Sequence, residues 1–526
     1  MTKQSFFKGT LILVMAGLIT KLLGFVNRIF LSRIIGAEGM GLYQMAVPTL
    51  YLVITLTQFG LPIAISKMVA EANAKNQPQK IRAILKIALA LVSILSLIFT
   101  TAMIICAPLI AKHLLTDART YYALIGIAPI VPIVAISSIL RGYFQGKQNM
   151  IPSASSQVIE QFVRIFAVLF LANYFLPKGV EYAAAAAMVG VIIGEFCGTL
   201  NLLYQFRKTK WKKRVWNRSN FLSSFQNQMD TWKGLLRIAL PVTSGRLIGS
   251  LTFWAEPIIV AQSLALVGMA TTGATAFYGE LQGMAIPLMT FPTFFTYSLS
   301  VSLIPAVAEA HAKKNWRMVY RRIYQSLRIA LVIGAPFTVI LFIFAESLGT
   351  VIYGSAHVGM LMKQMVPFFL LLYFQGPLAA ALQGLDHAQV AMKNSIYGAI
   401  LKTIAIYVLA TQPIFGLYGV TMAISIGVVI VTLLHFFSIA KITGFTFEIW
   451  DVIKVGGAML AMGCFGSLLQ NLLPSELDLS NRLILSIIGS LLFYLILLLL
   501  LRVLGKQDIE RIPLIGKRLS PFFRMR

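Results

Sequence analysis

Acidic residues are scarce in this 526-residue chain: 18 Asp and Glu stand against 45 Lys and Arg, and charged residues of all kinds make up only 12%. So little charge excludes an ordinary water-soluble domain of this length. Cysteine is scarce too. Cys106, Cys197 and Cys464 are odd in number, lie in apolar runs and have no metal-ligand spacing, which excludes a disulfide framework and a zinc site and leaves them as lipid-facing or core residues. The five histidines (His113, His311, His357, His387, His435) are scattered. HExxH, nucleotide-binding glycine loops and G-x-S-x-G are all missing, so the reading is of a non-enzyme with no metal and no cofactor.

Apolar sequence is what abounds. Hydrophobic residues make up 58% and mean hydropathy is +0.80. Runs long enough to cross a bilayer, about 20 residues, recur at 9–35, 41–66, 83–110, 120–140, 150–175, 182–206, 236–262, 276–308, 327–346, 362–384, 391–411, 417–440, 452–471 and 483–502. This predicts an all-α polytopic membrane protein of about 14 transmembrane helices, several of them tilted or kinked because they exceed the length needed. Lys3 and Lys8 precede the first run and no small-residue cleavage site follows it, which reads as an uncleaved first span.

Basic residues sort by side. The termini and alternate loops (67–86, 141–149, 207–237, 313–328, 385–393 and 441–454) hold 34, the intervening loops hold 6, and 5 lie inside spans. The positive-inside rule then places the chain in the cell membrane with both termini cytoplasmic. The net charge of +27 is thereby a matter of topology and not of nucleic-acid binding. The stretch "RKTKWKKRVWNR" (207–218) can also meet anionic membrane lipid or an acidic partner.

The chain repeats itself. "VAEANAK" (69–75) returns as "VAEAHAK" (307–313) at an offset of 238, which also aligns Pro129 with Pro367, Gln145–Gly146 with Gln383–Gly384 and "RIFAVLFLA" (164–172) with "KTIAIYVLA" (402–410). Upstream the offset is 225, "TKLLG" (20–24) matching "GRLIG" (245–249), as a longer external connection near 263–275 requires. The expected organisation is a six-helix bundle over 1–210, a basic cytoplasmic linker over 211–235, a second bundle over 236–440, and two extra helices with a basic tail over 441–526. An even number of spans per half makes the repeats parallel, an architecture of transporters that bind near the midplane and alternate access.

Five cations lie inside spans: Lys21, Arg28, Arg164, Arg246 and Lys402. A charge at bilayer depth is costly unless it faces protein or water. The repeat pairs Lys21 with Arg246 and Arg164 with Lys402, which points to a shared aqueous cavity. Lys21 and Arg28 fall on one helix face, Asn27 lies beside Arg28, and Gly17 and Gly24 ease bending there. Plainer readings stand beside this one: Arg28 and Arg33 snorkel to the headgroups, and Arg164 pairs with Glu160 one turn away. Lys402 has Gly398 where Arg164 has Glu160, so no local acid answers it. Glu160, Glu195, Glu256 and Glu280 are the acids in spans. Glu195 lies on a ribbon of Ala186, Gly190, Gly194 and Gly198 suited to close helix packing. Glu256 either partners Arg246 or serves a coupling cation.

The arrangement resembles the multidrug/oligosaccharidyl-lipid/polysaccharide exporter superfamily. "FKGTLIL" (7–13), "KLLGFVNRI" (21–29), "TQFGLPIAISK" (57–67), "LRGYFQGKQNM" (140–150), "YAAAAAM" (182–188) and "YFQGP" (373–377) are similar to the stage V sporulation protein B-like family of endospore-forming bacteria. The resemblance implies a flippase for undecaprenyl-diphosphate-linked peptidoglycan precursor in spore cortex synthesis. It implies substrate-binding cations at Lys21, Arg28 and Arg246, with Asn27 where such flippases often carry Arg. It also implies a coupling-ion site at Glu256 and Asn394, put in doubt by Gly398 one turn further on. The lipid-linked glycan substrate and membrane lipids are the expected partners, with cell-wall synthases as further ones. Two rival readings are a cation-coupled drug exporter of the same fold and a non-transporting scaffold for those synthases.

Overall fold

The computed structural model describes residues 6–208, 225–474, 476–501 and 503, and among these residues all regular secondary structure is helical. Most of the basic 207–218 stretch and of the basic tail lies outside the described residues. The chain forms two compact units, Met1–Met284 with Ile406–Leu417, and Ala285–Ala405 with Tyr418–Arg526.

The first unit holds α1 (Phe6–Gln58), α2 (Leu61–Ala74), α3 (Pro78–Leu109), α4 (Thr120–Ile127), α5 (Ile130–Gly146), α6 (Ile151–Phe175), α7 (Val180–Lys208), α8 (Phe225–Leu266) and α9 (Thr271–Tyr278). The first expected span and most of the second run through α1, 53 residues long, whose backbone leaves helical geometry at Gly36 (φ 67°, ψ −173°); the second span ends in α2. Only glycine adopts that conformation cheaply. The bend therefore falls at Gly36 and not at Gly17 or Gly24, where the backbone is helical. Proline at the start of α2 and α3 marks their first turns. Leu61, Ile65 and Val69 of α2 pack with Ile84 of α3, Ile139 and Phe144 of α5 and Leu235 of α8 in a shared core. The small-residue ribbon of α7 does what its spacing suggests: a Cβ on Gly190, Gly194 or Gly198 would stand within 2.6, 2.7 and 2.9 Å of α6 atoms. The two helices are in van der Waals contact over three turns.

A second close crossing joins α1 to the helix that follows α8. A Cβ on Gly41 would stand 1.9 Å from the Thr275 carbonyl oxygen, and one on Gly279 would stand 2.0 Å from that of Ala37. The Gln44 side chain donates to the Gln282 carbonyl oxygen at 3.1 Å. Gly41 and Gly279, like Gln44 and Gln282, are 238 residues apart, the offset of the repeat. Just beyond, "GLYQMAVP" (41–48) aligns in sequence with "GELQGMAIP" (279–287), which carries one residue more. The extra residue is absorbed by a π-helical turn, Gly279–Ala285.

The second unit continues with α10 (Ile286–Thr290), α11 (Thr293–Ala312), α12 (Trp316–Ile343), α13 (Ala345–Leu348), α14 (Ala356–Gly384), α15 (Ala388–Ala410), α16 (Gly416–Thr443), α17 (Ile449–Leu472) and α18 (Leu479–Leu500). Its core gathers Leu303 and Val307 of α11, Ile323 and Leu327 of α12, Ala381 of α14 and Ile439 of α16. The last two helices dock on α12. Arg328 Nε meets buried Asp451 Oδ2 at 3.1 Å, the Tyr324 hydroxyl donates to Asp451 at 2.5 Å and to Glu448 at 3.0 Å, and Tyr494 donates to the Val332 carbonyl at 3.1 Å.

Among the described residues eleven helices are long and apolar enough to span a membrane, or twelve with the pair Thr271–Thr290 and Thr293–Ala312, bent by 55°. The count of fourteen is not reached on that measure for two reasons. One candidate, Met15–Ala74, covers two expected spans in 60 residues. Helix α15 is not a candidate, because Lys393, Asn394 and Lys402 dilute its hydropathy.

Candidate functional site

The densest polar cluster inside the first unit forms where α5, α6 and α7 meet. Arg141, in the last turns of α5, reaches Glu160 Oε2 of α6 at 2.8 Å. Arg164, one turn after Glu160, donates to its other oxygen. Glu195 of α7 lies 3.5 Å from Arg141 and 3.9 Å from Arg164, and accepts from the Ser137 hydroxyl at 2.6 Å. Both carboxylates are buried, while the arginines are half-buried. Gly194 and Gly198 let α7 approach α6 closely enough for Glu195 to join. Two positive and two negative groups thus balance in a space that apolar helices surround, the condition under which buried charge is tolerated. Arg28 and Arg164 both lie within electrostatic reach of the Tyr43 phenol, which draws α1 into the same neighbourhood.

The seam between α1 and α6 is polar at one level and apolar at another. Gly24 faces Gln161 Nε2, and buried Asn27 presents an Oδ1 with no hydrogen-bond partner among the described residues. Nearer the start of both helices lies a cavity of about 490 Å³ lined by Ile12, Met15, Ile19, Val158 and Ile159.

The remaining residues singled out in the sequence lie elsewhere. Lys21 on α1 and Arg246 on α8 are both exposed on the protein surface. Glu256 of α8, 2% exposed, accepts a hydrogen bond from the Gln282 side chain, and so communicates with Gln44 through the same glutamine. In the second unit the stem of Lys402 on α15 lies against Gly427 of α16, where a Cβ would stand 2.8 Å from Lys402 Cβ. Asn394, also on α15, donates to the Leu434 carbonyl at 3.0 Å and to Ser438 Oγ at 2.9 Å, so its amide nitrogen braces two helices. No group of three or more His, Cys, Asp or Glu is placed to hold a metal among the described residues.

Sequence reasoning missed Arg141, counted there as a loop cation. The signal available was its spacing from Ser137, one helical turn, which puts both on the face that meets Glu195.

At the outer side as the charge count orients the chain, buried Asp117 accepts from Arg119 at 2.8 Å and from Thr275 at 2.8 Å, and Arg119 meets Glu38 at 2.5 Å. Burial alone would raise the Asp117 carboxyl, but the hydrogen bonds from Arg119 and Thr275 outweigh it and hold it below its ordinary value. Hydrogen bonds to Asp117 and Glu38 hold the Arg119 guanidinium above its own.

A repeated helical bundle with a bent eighth span and charge held among its helices is a fold that solved membrane transporters share. A solved structure described as "Lipid II flippase MurJ, inward closed conformation" matches with a TM-score of 0.69 at 14% identity, covering 92% of this chain and 97% of that one. The polysaccharide biosynthesis protein family matches residues 6–310 and the MatE family residues 257–408. The chain belongs to the polysaccharide biosynthesis protein family. It is 48% identical over 517 residues to "Stage V sporulation protein B" of Bacillus subtilis (strain 168), covering 98% of this chain and 99% of the relative. It is 24% identical over 480 residues to "Lipid II flippase MurJ" of the same organism, covering 84% of each.

Proposed function

We propose that this multi-pass membrane protein flips a lipid-linked glycan, the undecaprenyl-diphosphate-linked peptidoglycan precursor, from the cytoplasmic to the outer face by alternating access, in the service of spore cortex synthesis. The observation that carries the reading is the pair of guanidinium groups, Arg141 and Arg164, held among helices on the shared Glu160 carboxylate, in a chain nearly half identical to a sporulation protein along its whole length. Guanidinium groups suit an anionic diphosphate. The sugars need water, and the polyprenyl tail can remain in lipid or in apolar crevices such as that between α1 and α6. Lys21, Asn27, Arg28 and Arg246 complete the proposed substrate-binding set of the first unit, and Lys402 is the proposed substrate-binding cation of the second. The work is done by a change in which side the path faces, with different affinity in the two states, and no covalent bond is made or broken.

Transport of fluorescent lipid II by the purified protein in liposomes tests this directly. Neutralising Arg246 and Lys402 together should abolish transport without loss of expression; a double variant with full transport would reject the cation-lined path. Buried Glu256 favours a second reading, cation-coupled export of small molecules. Under it, Glu256→Gln would stop transport while the cation substitutions would not.

A further inference from the structure

We propose that Arg141, Glu160, Arg164 and Glu195 form a diphosphate site masked by its own carboxylates, and that loading it takes up protons. The proposal rests on the flippase reading and adds to it the groups that hold the charged head and the ion that accompanies it.

The geometry has three parts. First, the carboxylates occupy the faces of the guanidinium groups that an anion would use: Glu160 bridges Arg141 at 2.8 Å and Arg164, and Glu195 approaches both at 3.5 and 3.9 Å. Second, donor capacity is left over. Arg141 Nε and Arg164 Nε are both buried with no hydrogen-bond partner among the described residues. A diphosphate offers enough acceptor oxygens to engage a whole guanidinium edge, the idle Nε included. Third, the charged and titratable groups that face the cluster leave little else to answer it. They are Arg141 from α5, Glu195 from α7, Glu160 and Arg164 from α6, and beyond Arg164 the Arg28 and Tyr43 side chains of α1.

When an anion displaces the carboxylates, they lose their positive partners. A carboxylate left alone among apolar helices is costly and neutralises by taking a proton. The step balances: each of the two carboxylates gains one proton, two in all, given up by the buffer acid at the membrane surface, and no other bond is made or broken. Empty, the cluster holds two cations and two carboxylates. Loaded, it holds two cations, a dianionic diphosphate diester and two neutral acids. Its net charge is zero in both states, so neither state carries an uncompensated charge at membrane depth.

Binding of farnesyl-diphospho-N-acetylglucosamine to the full-length protein in nanodiscs, followed by calorimetry between about pH 6 and about pH 8 in buffers of different ionisation heat, tests the proposal. Both phosphates of this diester stay ionised over that range, so the probe adds no titration of its own. Affinity should tighten toward acid by about tenfold per pH unit for each proton taken up, with a buffer-dependent heat. Glu160→Gln should lower the proton count by one, and Glu195→Gln serves if that variant does not fold. Arg164→Met with Glu160→Leu removes one cation and one acid together. It should melt near the wild-type temperature yet bind at least about tenfold more weakly; wild-type affinity in that variant would make the cluster a brace and overturn the proposal. Binding that ignores pH and buffer in the wild type would overturn it too, while leaving lipid II transport in liposomes untouched. Loss of both binding and transport would sink the flippase reading with it.

Discussion

Single residues hold the cations where they are. Gly194 seats Arg164 and Gly427 seats Lys402, each leaving no room for a methyl group. Gly427→Ala should therefore push the Lys402 stem aside at an overpacking cost of about 1–3 kcal/mol, seen as a lowered melting temperature and slower lipid II transport. Asp117 offers a test by pH. Its carboxyl is held below its ordinary value, so its stabilising contribution is complete above that value and fades as pH falls through the folded one. Asp117→Asn should lower stability near neutral pH, and the gap in melting temperature between variant and wild type should narrow below about pH 4. The sequence made Arg164 and Lys402 legible because the repeat sets them side by side. It hid Arg141, because an ion pair across a helix connection leaves no periodic trace and a cation near a span end looks like any cytoplasmic loop charge.

Helices tell a similar story. Their existence and the small-residue face of α7 follow from composition and spacing alone. The bend in α1 did not, since several glycines precede Gly36 and only the tertiary structure decides which one leaves the helical region. The docking of α17 and α18 was equally out of sight: a lone Asp451 after a loop says nothing of Arg328 more than a hundred residues earlier. Asp451→Ala removes the buried carboxylate that the half-buried Arg328 guanidinium meets, leaving its bond to the Val503 carbonyl, and should cost about 1.5–3 kcal/mol of stability. Limited proteolysis should then cut between α16 and α17 first. At the crossing of α1 with the eighth span, Gly41→Val forces a side chain into the Thr275 carbonyl. That substitution should reduce the yield of folded protein more than Gly17→Val, whose Cβ would meet nothing within 4 Å.

For the whole molecule, the charge count makes a claim about sidedness that labelling can check. With the three native cysteines replaced by serine, a cysteine at Thr116 should react with an impermeant maleimide added to intact cells, and one at Gln148 should react only after the cells are opened. The reverse pattern would invert the topology. Duplication was legible at this scale because two copies of one string at a fixed offset need no structure to be seen. The span count was not settled so easily: two spans follow each other through the break at Gly36 and read as one, and the lysines of α15 dilute its hydropathy.

Where the glycines at 41 and 279 cross, each copy of an ancestral segment rests on the other copy of itself. A side chain gained in either would have to be accommodated by its twin. Drift is thereby restrained twice over at that spot, and it is there, rather than along the membrane-facing flanks, that descendants of the duplication should be found most alike.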